Sequence, residues 1–308
     1  MYIVNPDIYL KPDYKLSPFD TSYIDKYNKL KSSKIAIKYF NDYFRKSDWE
    51  YTINGREAIF LALKNYDLSK NDIITIITTS NNFYISSCVT NTIEKICKWS
   101  RKIEKKTKLI FLIHEFGYPI NDYKKLTDLN IPIIEDCCTT FFSQNKNTNI
   151  GLIGDFSIYS FPKFFPIQIG GLLVSNKFPN SFKSIISKNE SNFINSVLSL
   201  ELKRKRSILN KRTINHTYLL KLFKKIGFKE RFKITINVIP YALLLKNNGI
   251  IKNLDKFKVY LNHNGIQSSV FYGEDAFFIP CHQNLTISDL NYFYQCFLFY
   301  LKNLNSKN

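Results

Sequence analysis

The 308-residue sequence lacks any apolar run that could cross a membrane as a helix, which needs about 18 consecutive apolar residues. Its longest apolar stretches, at 73–77, 109–113 and 297–301, have the length of strands or short helices. The first residues combine no basic segment with an apolar one, so we expect no secretory signal. These absences predict a cytoplasmic protein without membrane insertion.

Cysteine is sparse and irregularly spaced. The six cysteines form no Cys-x-x-Cys pair, the spacing typical of zinc sites, so the sequence predicts no metal site. Cys137 and Cys138 are adjacent, and a disulfide between neighbouring residues would be strained. We therefore expect reduced thiols, as is usual in the cytoplasm.

Acidic residues are also few. The chain has 25 Asp and Glu against 44 Lys and Arg, which gives a formal charge of +19. Such an excess is compatible with nucleic-acid binding. Lysine dominates it, however, alongside abundant Asn, Ile, Tyr and Phe, a joint bias typical of an AT-rich coding sequence. The basic cluster at 203–206, followed by Lys211 and Arg212, is interpreted as a solvated helix face or, alternatively, as a site for a phosphate-bearing ligand. No nucleic-acid motif is present, and we predict no such partner.

Short apolar runs alternate with polar helical stretches over the first two thirds of the chain. Strands are predicted at 73–79, 94–99, 108–114, 131–135, 155–161 and 172–175, and helices at 36–48, 56–65, 84–92 and 123–129. Several of these strands are continuously apolar, as strands covered on both faces are. The predicted fold is α/β, with a mixed, mostly parallel sheet between helices.

The pattern changes near residue 183. A helical region to about 226 is followed by predicted strands at 234–245, 268–272 and 277–279, and by a helix at 287–302 capped by Thr286 or Ser288. This arrangement predicts a smaller α+β domain at the C-terminus. We place the boundary between a large domain, 1–205, and a small domain, 206–308.

Two features are candidates for ligand binding, each with an ordinary structural alternative. Gly55 and Arg56 lie where an extended segment turns into a helix, whose free N–H groups can bind phosphate; an ordinary helix start has the same appearance. Asp136 ends a buried strand, the position where open α/β sheets bind ligands. Its carboxylate could hold a protonated ring nitrogen or a metal, or cap the next turn.

Two further features suggest covalent chemistry on a flat ligand. Lys163 stands among Pro162, Phe164 and Phe165, and burial there would depress its pKa and free the amine as a nucleophile. The alternative is a lysine whose amine reaches solvent. Phe83 follows another strand, where its ring could stack on a cofactor or pack in the core.

Taken in order, these features resemble the DegT/DnrJ/EryC1/StrS sugar aminotransferase family, which has the type I fold of enzymes dependent on pyridoxal phosphate. The matching segments are the glycine-led helix start at 55–63, Asn-Asp-Ile-Ile at 71–74, His-Glu-Phe-Gly-Tyr-Pro at 114–119, Ile-Glu-Asp-Cys-Cys at 134–138, Ser-Phe through lysine to Gly-Gly at 160–171, and Ile-Pro-Cys-His-Gln-Asn-Leu-Thr at 279–286. The resemblance spans about residues 50–180 and 265–300.

The resemblance implies two catalytic residues. Lys163 would link covalently to the cofactor aldehyde and then carry a proton between the amino donor and the cofactor. Asp136 would pair with the protonated pyridine nitrogen and so keep the ring an electron sink. Dehydratases of this family replace the lysine with histidine, so Lys163 favours transamination.

The resemblance also implies the cofactor-binding set. Phe83 would stack on the ring, and the backbone amides of Gly55 and Arg56, together with Ser160, would bind the phosphate. Thr139 stands where the family usually has glutamine, near the phenolic oxygen. Arg56 likewise replaces the usual threonine.

The implied reaction moves an amino group from an amino acid, expected to be glutamate, to a keto-sugar nucleotide for surface glycan or polysaccharide synthesis. The family's sites usually form at a dimer interface, so a homodimer is expected. Residues 176–205, however, lack the family's Asn-x-Arg-Met segment, which shapes the substrate site. An altered reaction, such as dehydration or racemisation, and a non-catalytic member of the same fold are the alternatives.

Overall fold

A seven-stranded sheet organises the first half of the chain in the computed structural model, which describes residues 13–45, 47–144 and 150–303. Its strands are β1 (Asp48–Thr52), β2 (Ile73–Thr78), β3 (Lys98–Ser100), β4 (Thr107–Ile113), β5 (Ile133–Asp136), β6 (Phe156–Ser160) and β7 (Gly171–Ser175). They are ordered β1-β7-β6-β5-β4-β2-β3. Strands β2 to β6 run parallel to one another, whereas β7 is antiparallel to both β6 and β1.

Helices cover both faces of this sheet. On one face lie α3 (Gly55–Leu63) and α4 (Ser87–Glu94); on the other lie α2 (Ile35–Tyr43), α5 (Tyr123–Thr127) and α6 (Lys188–Lys203), with α1 (Tyr23–Asn28) against α6. Successive residues of a strand face opposite sides. Accordingly, Leu173 of β7 packs with α3, while Leu172 and Val174 pack with α2 and α6. The predicted three-layer α/β class is confirmed.

A second, antiparallel sheet follows. It contains β8 (Lys229–Glu230), β9 (Ala242–Lys246), β10 (Ser269–Val270) and β11 (Ala276–Pro280), in the order β10-β11-β9-β8. Helices α7 (Lys205–Lys225), α8 (Leu254–His263) and α9 (Ile287–Asn303) pack on it. Its core is aromatic, and Phe223 and Phe297 meet with ring centroids 4.4 Å apart. The two sheets lie on either side of the predicted boundary at residue 205.

The two units also meet outside that boundary. Tyr14, near the start of the described chain, forms an isolated bridge with Ile266 and packs against the hydrophobic core of the small unit. Arg231 of the small unit lies 3.4 Å from a carboxylate oxygen of Glu115 in the large unit. Contacts between units therefore involve segments distant in sequence.

Two predicted elements differ from the structure, and others were missed. The segment 94–99 is mostly helix end and turn, because α4 continues to Glu94 and only residues 98–100 form a strand. The strand predicted at 234–245 begins at Ala242, since Pro240 cannot donate a backbone hydrogen bond to a ladder. Strand β8 and helix α8 were not predicted.

The closing helix begins as expected. Thr286 caps α9, because its hydroxyl oxygen accepts the Asp289 N–H at 3.2 Å while the Asp289 carboxylate accepts the Thr286 N–H at 2.7 Å. No helix in the described part of the chain combines the length and apolarity needed to cross a membrane.

Candidate active site

A cavity of about 360 Å³ opens where the parallel strands end. The predicted residues that line it are Gly55, Arg56, Asp136, Thr139, Ser160 and Lys163. They come from three chain segments that the sheet order brings to one edge, as expected for an open α/β sheet. The cavity therefore unites six of the seven residues singled out from the sequence.

Asp136 is the last residue of β5 and is buried. Its Oδ1 accepts the Cys138 N–H at 2.9 Å, which fixes the carboxylate at the cavity wall. Burial raises the pKa of Asp136 above its ordinary value, and the Cys138 amide only partly opposes that rise. A cationic partner in the cavity would favour the ionised carboxylate.

Lys163 ends a short 3₁₀ turn that directly follows β6. Its side chain is half-buried, and its amine lies 5.6 Å from the ring centroid of Tyr241. Tyr241 raises the pKa of Lys163, with further contributions from Cys138 and Asp136 that together outweigh desolvation. The expectation of a depressed Lys163 pKa is therefore wrong, because polar groups from other segments surround the amine.

The start of α3 is organised by Asn54. Its Oδ1 accepts the N–H groups of Arg56 at 3.0 Å and Glu57 at 3.1 Å. The Arg56 amide, expected to bind phosphate, is thus already occupied by the helix cap. The Arg56 side chain is exposed and lines the cavity, so its guanidinium is the part of the residue available to an anion.

Gly55 leaves space at this helix start. A Cβ there would lie 3.4 Å from the Ser160 Cβ and 3.5 Å from the Cys138 Sγ, filling the gap between the helix and the end of β6. Glycine, a helix N-terminus and a serine hydroxyl form a pocket that fits a phosphate group. This pocket belongs to the same cavity as Lys163 and Asp136.

Thr139 is fixed by the neighbouring turn. Its hydroxyl donates to the His114 carbonyl at 2.8 Å. The oxygen of that hydroxyl can still accept a hydrogen bond from a ligand.

Between β2 and α4, the aromatic side chain in the cavity lining is Tyr84, one residue after the predicted Phe83. Phe83 is 69% exposed and lies outside the cavity lining, whereas Tyr84 lies within it. Asn81 adopts a left-handed backbone with φ of 59°, and the Asn82 Oδ1 accepts the Tyr84 N–H at 2.7 Å. This turn directs Tyr84 inward, so the expected position of Phe83 against the cofactor ring is corrected.

A buried polar cluster around His114 and Glu135 lies next to the cavity. His114 Nε2 lies 3.2 Å from Glu135 Oε2, and its Nδ1 accepts the Ile120 N–H at 3.3 Å. Burial alone would raise the pKa of Glu135, but the hydrogen bond from His114 and the N–H groups of Gly154 and Ile153 lower it overall. These contacts give His114 and Glu135 a structural role in shaping the turn.

Sequence reasoning missed two residues near Lys163. Tyr241 lines the cavity from the small unit. Arg212, assigned to a solvated face, is fully buried, while Arg206 on the same helix is exposed. The signal that could have found it is helical spacing, because Arg212 lies four residues after Ile208 and seven before Leu219, on the buried stripe of the helix.

Residues 38–177 match the DegT/DnrJ/EryC1/StrS aminotransferase family. The resemblance inferred from the sequence is thereby confirmed over this range, which holds all seven predicted site residues. The DegT/DnrJ/EryC1/StrS match also supports the predicted cofactor, pyridoxal phosphate.

Two relatives are similar over part of the chain. A GDP-perosamine synthase from Escherichia coli O157:H7 is 30% identical over 147 residues, which is 40% of this chain and 39% of that protein. A GDP-perosamine synthase from Vibrio cholerae is 35% identical over 82 residues, 25% of this chain and 22% of that protein. The matched regions thus span about two fifths of the first relative and about one fifth of the second.

Solved structures share the fold over most of the chain. The aminotransferase TlmJ from Streptoalloteichus hindustanus has a TM-score of 0.71 at 13% identity, covering 92% of this chain and 97% of its own. PseC from Helicobacter pylori, an aminotransferase involved in pseudoaminic acid biosynthesis, has a TM-score of 0.70 at 14% identity, covering 95% and 100%. The PLP form of the sugar aminotransferase Spr1654 from Streptococcus pneumoniae reaches 0.65 at 15% identity, covering 95% and 97%.

Proposed function

We propose that this chain is a pyridoxal phosphate-dependent aminotransferase that moves an amino group from an amino acid to a keto-sugar nucleotide. The observation that carries the proposal is the shared cavity of Lys163 and Asp136, with the Gly55 pocket at its edge. An amine, an anionic partner for a ring nitrogen and a phosphate pocket are the three groups this cofactor requires.

The described residues fit the cofactor. Asp136 would face the pyridine nitrogen, and Ser160 with the Gly55 amide would hold the phosphate. The Arg56 guanidinium would bind the phosphate in place of the Arg56 amide, because the Asn54 side chain already accepts that amide N–H. Tyr84, rather than Phe83, would lie against the ring.

When bound, pyridoxal phosphate supplies an electron sink that stabilises negative charge on the amino-acid Cα. Lys163 would remove the Cα proton and return it, because its amine lies in the cavity lining. The rise in the pKa of Lys163 would be opposed by the positive charge of the bound cofactor ring, and this favours the neutral amine that acts as the base. Asp136 would keep the ring nitrogen protonated through its negative charge. Thr139 would orient the ring oxygen through the hydroxyl that the His114 carbonyl fixes.

The substrate assignment rests on the named relatives, since the two matched proteins are GDP-perosamine synthases. We therefore extend the proposal to a nucleotide-linked keto sugar, with glutamate as the amino donor and surface glycan or polysaccharide synthesis as the pathway. A cytoplasmic homodimer is part of the same proposal.

A panel of amino donors and keto-sugar nucleotides tests this function. The purified protein with added cofactor is expected to convert glutamate to 2-oxoglutarate and to give an amino-sugar nucleotide, detected by mass spectrometry. Formation of D-glutamate with loss of the α-deuterium, and without 2-oxoglutarate, would instead indicate racemisation. A protein that binds no cofactor would overturn the proposal in favour of a non-catalytic member of the fold.

A further inference from the structure

Arg212 on α7 is a fully buried cation. None of the ion pairs in the described ranges involves it. Burial lowers the pKa of its guanidinium to about 10, so it still carries its charge at neutral pH. Burying a charge without an opposite charge is costly, and its partners must compensate by hydrogen bonding.

Those partners are neutral oxygens around the cavity. Nη2 of Arg212 donates to the Lys163 carbonyl at 3.1 Å, and Nη1 donates to the carbonyls of Pro240 at 3.3 Å and Tyr241 at 3.4 Å. Nε donates to the Gln283 Oε1 at 2.7 Å. One guanidinium therefore joins the main chain of the large unit to that of the small unit.

Gln283 completes the arrangement. Its Nε2 donates to the Phe164 carbonyl at 2.8 Å, and the Phe164 ring lies 4.4 Å from the Arg212 guanidinium carbon. The carbonyls of Lys163 and Phe164 are thus both held by the Arg212–Gln283 pair. The planar fork of arginine reaches these separate acceptors at once, which a lysine ammonium cannot do in the same geometry.

We infer that Arg212, together with Gln283, is a positioning residue for Lys163, fixing its main chain relative to Tyr241 so that its amine reaches into the cavity. Lys163 and Tyr241 come from different units, and both line that cavity. The consequence for catalysis rests on the proposed function, whereas the placement of the Lys163 amine does not.

Competitive labelling of Lys163 tests the placement without any cofactor. Trace acetic anhydride is applied across a pH series to the full chain, and the labelled lysines are quantified by mass spectrometry. Because Tyr241 and Asp136 raise the pKa of Lys163, an amine released from them should titrate lower. We expect the Lys163 midpoint to fall by roughly one pH unit in Arg212→Met, and in the same direction in Gln283→Leu.

Asn215→Leu is the matched control. Asn215 lies on the same helix, is buried, and donates to the carbonyls of His282 at 2.8 Å and Leu285 at 3.1 Å, beside Gln283. Its loss should destabilise the same loop without moving the Lys163 midpoint. An unchanged midpoint in folded Arg212→Met, or an equal shift in Asn215→Leu, would overturn the inference. If Arg212→Met does not fold, Gln283→Leu decides by the same criterion.

Cofactor capture separates this inference from the proposed function. Capture of pyridoxal phosphate by Lys163, trapped with borohydride, should slow by at least about tenfold in Arg212→Met, because small misplacements of reacting groups cost that much or more. No capture by the unaltered protein would contradict the proposed function, and the labelling midpoints would still decide the role of Arg212. If the unaltered protein captures the cofactor and Arg212→Met captures it at the same rate, only the positioning role of Arg212 is contradicted.

Discussion

Asp136 and Lys163 face one cavity from neighbouring parallel strands, the first at the end of β5 and the second just beyond β6. The pairing of these strands fixes the two residues in relation to each other before any ligand is present. Asp136 is among the groups that raise the pKa of Lys163, after Tyr241 and Cys138.

Asp136→Asn should retain the fold and lower the rate of the amino-donor half-reaction by about 100-fold, because a neutral amide cannot hold the ring nitrogen protonated. Stopped-flow absorbance with glutamate measures this rate. Asp122→Asn, at an exposed carboxylate, serves as the control. A half-reaction of normal rate in Asp136→Asn would remove Asp136 from the mechanism.

Arg56→Ala should weaken binding of pyridoxal phosphate by about tenfold, the loss expected for one hydrogen bond to a charged group. It should leave binding of pyridoxal, which has no phosphate, nearly unchanged. Fluorescence titration with both ligands gives the ratio of the two dissociation constants, and Arg206→Ala controls for loss of an exposed arginine. Equal weakening of both ligands would show that Arg56 does not contact the phosphate.

Tyr84→Ala should weaken cofactor binding by about 1 kcal/mol, the usual contribution of an aromatic contact. Phe83→Ala should not, because that side chain is exposed and outside the cavity. Tyr84→Phe keeps the ring and should bind as the unaltered protein does. The reverse order, with Phe83→Ala the weaker binder, would restore the sequence-based assignment.

The stability of the protein should fall between pH 7 and pH 5. Burial lowers the pKa of His216 to about 4 from an unfolded value of 6.5. Between these values the unfolded state binds more protons, so stability rises with pH and is lost as the pH falls. At pH 5 the loss from His216 is about 2 kcal/mol relative to pH 7.

Urea unfolding of the unaltered protein and of His216→Gln at both pH values measures this loss. The glutamine variant should lose less stability on acidification, because the titrating group is gone. An identical loss in both proteins would show that His216 binds protons equally in its folded and unfolded states.

Part of the site could be predicted from local patterns. Asp136 was identified at a strand end, Gly55 at a helix start and Lys163 by its apolar neighbours, and all three line one cavity. Ser160, which lines the same cavity, came from the family resemblance. The identity of the aromatic residue after β2 did not follow, since a one-residue choice between Phe83 and Tyr84 depends on a left-handed turn at Asn81.

Other properties depend on contacts between distant segments. The direction of the Lys163 pKa is set first by Tyr241, which belongs to the other unit, and apolar neighbours in sequence suggested the opposite. Arg212 looked like one of many surface cations, and only the packing of α7 against the cavity buries it. Local sequence patterns carry no information on such pairs.

The most direct test of the account is to reduce the protein with borohydride in the presence of pyridoxal phosphate and to map the modified residue by mass spectrometry. We expect one cofactor per chain on Lys163, none in Lys163→Ala, and protection when glutamate is added before the reductant. Modification scattered over surface lysines, or unchanged in Lys163→Ala, would contradict it.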